Sequence, residues 1–386
     1  MSEYQYYEFV AIDEPLTPKQ MVELRSRSSR ASITPTSFVN DYQWGNLKGD
    51  PVDWMRRYFD SHVYVANWCT CCLYLRVPRS AFDAKTLQPF EIESVFSVAR
   101  TNTHWLLEWA LSESDNYDRF AEEDGRDWMG RLVPLRDELL RGDLRPLYLG
   151  WLAGVSAGEV HEDATEPPPP PGLSRLTAAQ QSLAEFLEIG LDLITAAGLP
   201  DQQAPDLDTK SDPEIDAWIV ELPTAEKAAV LKLLVTGHAQ QAERRLKLRL
   251  LAWQREQHPI GKHEARRRTV AELQELAASA AETRKKQEAV QRRKVEAERR
   301  AKREIYLRTL AADFDRCWQV ANKQAERGIA SAYDEVKRAL VELAEAYTLC
   351  ASRVDFDRKL AQFMGRHGKR GALVRRLADA GIWKKS

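Results

Sequence analysis

Ten of the twenty residues from Arg284 to Arg303 are Lys or Arg, against three Glu, a net of +7. They are Arg284, Lys285, Lys286, Arg292, Arg293, Lys294, Arg299, Arg300, Lys302 and Arg303, and a further cluster, Arg266, Arg267 and Arg268, lies upstream. Such a density of cations points to a polyanion. Nucleic-acid phosphates are closely and regularly spaced, and a rigid element carrying repeated cations neutralises several at once with release of counterions. Arg adds a planar fork that holds a phosphate through two hydrogen bonds. The same composition also describes a solvated helix laced with ion pairs, or one docked on a protein. Nucleic acid, DNA or RNA, is therefore the first reading of these thirteen residues, and a protein partner engaged through the helix is the second.

Other chemistries lack their constellations. No Gly-x-Gly-x-x-Gly, phosphate-loop or His-Glu-x-x-His pattern occurs. Gly154-Val-Ser-Ala-Gly158 has the spelling of a nucleophile elbow, with Leu147 to Ala153 as a possible lead-in strand. An elbow also needs a following helix, and an acidic stretch and five prolines follow instead. Glu335-Val-Lys337 spells a nuclease half-motif, but on a helix two residues apart lie on roughly opposite faces. Cys69, Cys71 and Cys72 crowd together without the spaced pairs of a zinc site, and strand geometry sends Cys71 and Cys72 to opposite faces. Tyr306 and Trp383 are the aromatics with basic neighbours that could stack on bases. No catalytic residue, cofactor or metal is expected, and an enzyme with an unrecognised site is the third reading.

The elements that must position the basic residues are helices. Between Lys262 and Arg327 there is neither Gly nor Pro, and Glu282, Glu288, Glu296 and Glu298 each precede a Lys or Arg by four residues. Each such pair favours helix by about 0.2–0.5 kcal/mol. Apolar stripes at Val270, Leu273 and Leu276 and at Ile305, Leu310, Phe314 and Trp318 flank a centre that is polar nearly all round, so the centre is expected to project into solvent or lie on a partner. Upstream, β-prone runs (Tyr4 to Ile12, Ala31 to Tyr42, His62 to Ala66, Cys72 to Val77, Ile92 to Thr101, Trp105 to Leu111) alternate with short capped helices.

These patterns predict an α+β chain: an N-terminal, mostly antiparallel sheet with helices, then an all-α C-terminal half with a long basic helix. The expected divisions are an acidic α+β domain at 1–160, a proline-rich linker at 161–173, a helical domain at 174–257, the long basic segment at 258–327 and a C-terminal helical domain at 328–386. Pro167 to Pro171 reads as a stiff spacer.

Charge divides the chain in the same way. Residues 1–225 carry 19 basic and 37 acidic side chains and residues 226–386 carry 37 and 21, so a formal net charge of −2 conceals halves of opposite sign. Five cysteines in 386 residues fit a reducing compartment. With no run apolar enough for a membrane helix and no basic, apolar leader, a cytoplasmic protein with no membrane partner is expected.

The opening Ser2-Glu-Tyr-Gln-Tyr-Tyr-Glu-Phe9, with Ala11-Ile-Asp-Glu-Pro-Leu16, Ile33-Thr-Pro-Thr-Ser-Phe-Val-Asn40 and Tyr64-Val-Ala-Asn-Trp68, resembles a family of uncharacterised bacterial proteins. The resemblance continues through Leu135-Arg-Asp-Glu-Leu-Leu-Arg-Gly-Asp-Leu144 to Pro-Gly-Leu173 and fades in the second half. It implies a bacterial setting and no activity. Where similar sequences have Gly-Thr-Arg after the tryptophan, this chain has Cys69-Thr70-Cys71. With the charge asymmetry, the expectation is a non-enzymatic binding subunit of a bacterial multi-protein assembly, the alternative being a scaffold.

Overall fold

The computed structural model describes residues 3–112, 114, 125–199, 212–257 and 267–383. Seven strands form one antiparallel sheet: β1 (Gln5–Val10), β2 (Ser32–Thr34), β3 (Ser37–Tyr42), β4 (Ser61–Ala66), β5 (Cys71–Pro78), β6 (Phe96–Arg100) and β7 (His104–Leu111), in the order β2-β3-β1-β4-β5-β7-β6. The run from Ala31 to Tyr42, expected as one strand, is two. Pro35 has no N–H for a ladder, and the chain turns there into the β2–β3 hairpin.

Side-chain alternation separates two cores. Val63, Leu73, Leu75, Val77, Leu107 and Trp109 project to one face, under the helices Trp128–Leu132, Pro134–Leu140, Arg145–Ser156 and Ala178–Phe186. Phe9, Phe38 and Leu106 project to the other, with Trp54 and Met55 of the helix Pro51–Arg57 and Leu24 of Pro18–Arg27. Thr17 and Thr177 cap their helices through the expected reciprocal Thr–Gln boxes.

Gly150 and Gly154 lie one turn apart on the Arg145–Ser156 helix. A Cβ at Gly150 would stand 2.8 Å from Trp109 Nε1, and one at Gly154 would stand 2.3 Å from Ile92 Cδ1. The glycines let the helix backbone approach the sheet. Leu147 to Ala153 is thus helix rather than strand, Ser156 sits exposed at its end, and the elbow spelling has no elbow.

The proline run does not divide the chain. Glu166 and Pro167 are buried, Thr165 bridges to Thr269, and Arg145 Nη1 donates to the carbonyls of Gly172 (3.2 Å) and Arg175 (2.9 Å). Beyond it, Leu183, Phe186 and Leu187 enter the same core as Trp109 and Leu139. An acidic domain closed at residue 160 would lack a wall, so the expected 1–160 and 174–257 domains are one body. The chain separates instead into Met1–Glu282 and Thr283–Ser386.

In the second unit, the helices Phe314–Glu326, Ala330–Cys350, Arg353–His367 and Gly371–Asp379 surround Trp318, Leu340, Leu343, Phe356, Phe363 and Leu377. This core begins before residue 328, because Trp318 belongs to it. Glu335 and Lys337 lie on the Ala330–Cys350 helix, as their neighbours' helical spacing requires. Among the described residues no helix is long and apolar enough to cross a membrane.

One buried histidine makes the fold pH-sensitive. His62 stacks on Phe9 at 3.7 Å between ring centroids and 4° between planes, and its Nδ1 lies 2.9 Å from the Glu8 carbonyl. A carbonyl only accepts, so Nδ1 carries the proton of a neutral ring. Burial pushes the pKa down from 6.5 to about 3, against the opposing pull of that carbonyl. The unfolded chain takes up the proton as pH falls through 6.5, whereas the folded chain does so only near 3. Stability is therefore lost across that window on acidification, at up to about 1.4 kcal/mol per pH unit. Denaturant titrations at pH 7 and 5 should show a loss smaller by about 2 kcal/mol in His62→Gln than in wild type. Equal losses would mean that His62 does not titrate differently on folding.

Candidate nucleic-acid interface

A 42-residue helix, Val270–Ala311, carries ten of the thirteen candidate residues. It is shorter than the unbroken Lys262–Arg327 stretch. Thr269 caps its start, its hydroxyl accepting from Glu272 N while Glu272 Oε2 accepts from Thr269 N. At the far end Asp313 caps the next helix by accepting from Arg316 N. Thr and Asp side chains compete for backbone N–H groups and punctuate helices without Gly or Pro.

The centre of this helix is exposed. Every residue from Gln291 to Arg300 is exposed, including Arg292, Arg293, Lys294, Arg299 and Arg300, as are Lys285, Lys286 and Lys302 outside that run. Arg284 is half-buried and donates to Glu288 Oε1 at 2.9 Å, one turn on. Strong helix formers and local ion pairs sustain such a segment without a core.

The remaining candidates fare differently. Arg266 lies outside the described residues. Arg267 is exposed, with its Nε donating to the Glu166 carbonyl at 2.6 Å.

Arg268 must be withdrawn. It is buried, and all five of its guanidinium N–H groups are used. Nε donates to Glu166 Oε1 (2.8 Å), and Nη1 donates to the carbonyls of Ala196 (2.8 Å) and Leu199 (2.5 Å). Nη2 donates to Glu166 Oε2 (3.0 Å) and to the Ala197 carbonyl (3.0 Å). Nothing remains for a phosphate. Arg268 pins the root of the basic helix to the end of the Leu191–Ala197 helix, where unpaired carbonyls attract a cation.

Arg303 is also committed. Its Nε donates to Glu345 Oε2 at 3.0 Å, its Nη1 lies 3.5 Å from Glu342 Oε1, and its guanidinium covers the Tyr306 ring at 5.4 Å. Tyr306 donates to Glu342 Oε2 at 2.7 Å, and Trp383 packs against the C-terminal core. Tyr306 stays 42% exposed with Arg303 over its ring, and Trp383 is half-buried against the C-terminal core.

The exposed cations show a spacing that the charge count conceals. Lys285-Lys286, Arg292-Arg293 and Arg299-Arg300 are dibasic pairs seven residues apart, a sequence-visible repeat that a search for charge density alone passes over. Seven residues return to nearly the same side of an α-helix, short by about 20°. The pairs therefore form two parallel rows, Lys285–Arg292–Arg299 and Lys286–Arg293–Arg300.

Elsewhere, a buried ionic cluster joins Asp13, Asp60, Arg76 and Arg136, with Asp13 Oδ1 left without a hydrogen-bond partner among the described residues. Fully buried Asp60 accepts from Ile12 N and Asp13 N through Oδ2 and from Arg76 Nε and Nη2 through Oδ1. Burial works against its charge, but the Arg136 and Arg76 guanidiniums hold its pKa below the ordinary carboxylate range. Asp13 is pushed up by burial while Arg136 opposes. These groups tie the end of β1 to β4 and β5. A surface cavity of about 210 Å³ beside Trp54 and Tyr58 is lined by Glu23 and Asp53, both paired with Arg57 (2.9 and 3.3 Å). Cys71 donates to the Phe186 carbonyl at 3.1 Å, and burial pushes the Cys72 thiol well up, away from thiolate chemistry. Among the described residues no group of His, Cys, Asp or Glu is arranged to hold a metal ion.

Comparison with known protein families, curated proteins and solved structures returns no match.

Proposed function

We propose that this chain is a non-enzymatic binding protein, a subunit of a bacterial assembly, whose basic helix engages the backbone of a nucleic acid. The observation that carries the reading is the fully exposed stretch from Gln291 to Arg300, with five Lys or Arg against two Glu. Holding like charges together on an uncovered helix is unfavourable, and a polyanion relieves that repulsion while releasing counterions. A protein partner is the second reading. It is favoured by Val290 and Val295, 65% and 53% exposed on the same helix, which a phosphate backbone would not bury.

The test is a binding titration of the full chain against a generic nucleic acid at several salt concentrations. Backbone engagement predicts affinity that falls linearly on a log–log plot with a slope of several units, largely independent of base sequence. No binding at 50 mM salt would give first place to the protein-partner reading.

A further inference from the structure

We infer that the partner of this helix is double-stranded, B-form DNA, with the helix lying in a major groove and each row of cations meeting one bordering phosphate strand. The inference rests on the nucleic-acid reading above and goes further than it, because a generic polyanion site needs no register.

Three observations point to a duplex. The first is the pairing itself. Neighbouring residues on a helix stand about 100° apart. On a cylinder about 10–12 Å across, the rows Lys285–Arg292–Arg299 and Lys286–Arg293–Arg300 are therefore roughly 8 Å apart at the surface and diverge outward. The major groove is about 12 Å wide and admits one α-helix. Diverging Lys and Arg side chains from a helix in that groove reach both walls. All six residues are exposed, and successive pairs advance by about 10.5 Å.

The second is what is missing between the rows. From Arg284 to Arg303 there is no Phe, Tyr, Trp or His, so nothing there stacks on an unpaired base. Tyr306, just beyond, donates to Glu342 and has the Arg303 guanidinium over its ring. Within the segment itself single strands lose their usual platform.

The third concerns RNA duplexes. Their major groove is deep and narrow, and proteins grip them through 2′-hydroxyls across the minor groove. The segment holds no Ser, Thr or Asn, and Gln287 and Gln291 are its uncharged side chains able to bond a hydroxyl. Charge complementarity and shape together select B-form DNA.

The experiment moves one row without changing net charge. In the full-length variant Gln287→Arg, Gln291→Arg, Arg292→Gln, Arg299→Gln, two cations of the first row pass to the side of the helix opposite the midline of the two rows. All four positions are exposed, so their replacements cost no packing. Wild type and variant are titrated with a random-sequence DNA duplex, the corresponding single strand and an RNA duplex, with circular dichroism confirming equal helix content. The expected result is duplex-DNA affinity reduced roughly tenfold or more, a salt slope shallower by about 1.8, and single-strand binding unchanged. Wild type should also prefer the DNA duplex to the other two. The inference is overturned if the variant binds duplex DNA as wild type does, or if wild type binds single strands or duplex RNA as tightly. Failure of wild type to bind any of the three at 50 mM salt sinks the parent reading as well, which separates the two failures.

Discussion

Replacing Arg292, Arg293, Arg299 and Arg300 together by Gln is expected to reduce the log–log salt slope for duplex DNA by about 3.6 and affinity near physiological salt by about a hundredfold or more. All four side chains are exposed, and none makes a contact that holds the fold. Gln is nearly as good a helix former as Arg, so the helix persists and the loss is electrostatic. Binding should weaken to the same degree for every base sequence, because phosphate contacts position a protein without specifying bases. Fluorescence anisotropy across a salt series reads both quantities. An unchanged slope would mean that these arginines meet no phosphate, whatever else the chain binds.

The second large effect concerns Arg268. Replacing it by Met should destabilise the first unit by about 3–5 kcal/mol, the usual cost of breaking a buried pair from one side. Glu166, fully buried, would lose two charge-assisted bonds, and the carbonyls of Ala196, Ala197 and Leu199 would lose their donor. Adding Glu166→Gln should recover part of the loss, since a neutral amide no longer strands a charge, and Tyr148 can still donate to it. Near-UV circular dichroism through a denaturant series reports the tertiary packing involved. A midpoint equal to wild type in Arg268→Met would show that the clamp contributes nothing to the fold.

Most of the elements were legible in the sequence because their signals are local. Thr17-Pro18, Asp50-Pro51 and Thr177-to-Gln180 announce helix starts, and each side chain bonds the backbone N–H that its position requires. The β-prone run from Cys72 to Val77 announces a strand, and the structure alternates buried and half-buried along it from Cys71. Tertiary burial was not legible in this way. Five consecutive prolines read as a spacer in isolation, and only the distant partners of Glu166, namely Tyr148 and Arg268, turn the segment into part of a core. The same distance hid the fate of Arg268, which in sequence is one of three adjacent arginines and in space is the keystone of a buried cluster. The exposed part of the candidate interface was legible because solvent exposure follows from the local failure of the apolar stripe. Its paired register needed only a count of sevens.

The close seating of the Arg145–Ser156 helix has a consequence for how this sequence can drift. At positions 150 and 154 the cost of a side chain falls on partners far away in the chain, Trp109, Phe96 and Ile92. Trp109 is itself tied back, its indole donating to the Pro146 carbonyl at 3.0 Å on the same helix. A larger residue at 150 therefore pushes on a ring that the helix's own first turn holds in place, and no single compensating change relieves both. At 154 the obstacle is the tip of one aliphatic side chain, so a smaller residue at 92 can open the way to alanine. Lineages of this fold should keep glycine at 150, and should vary 154 only in concert with 92.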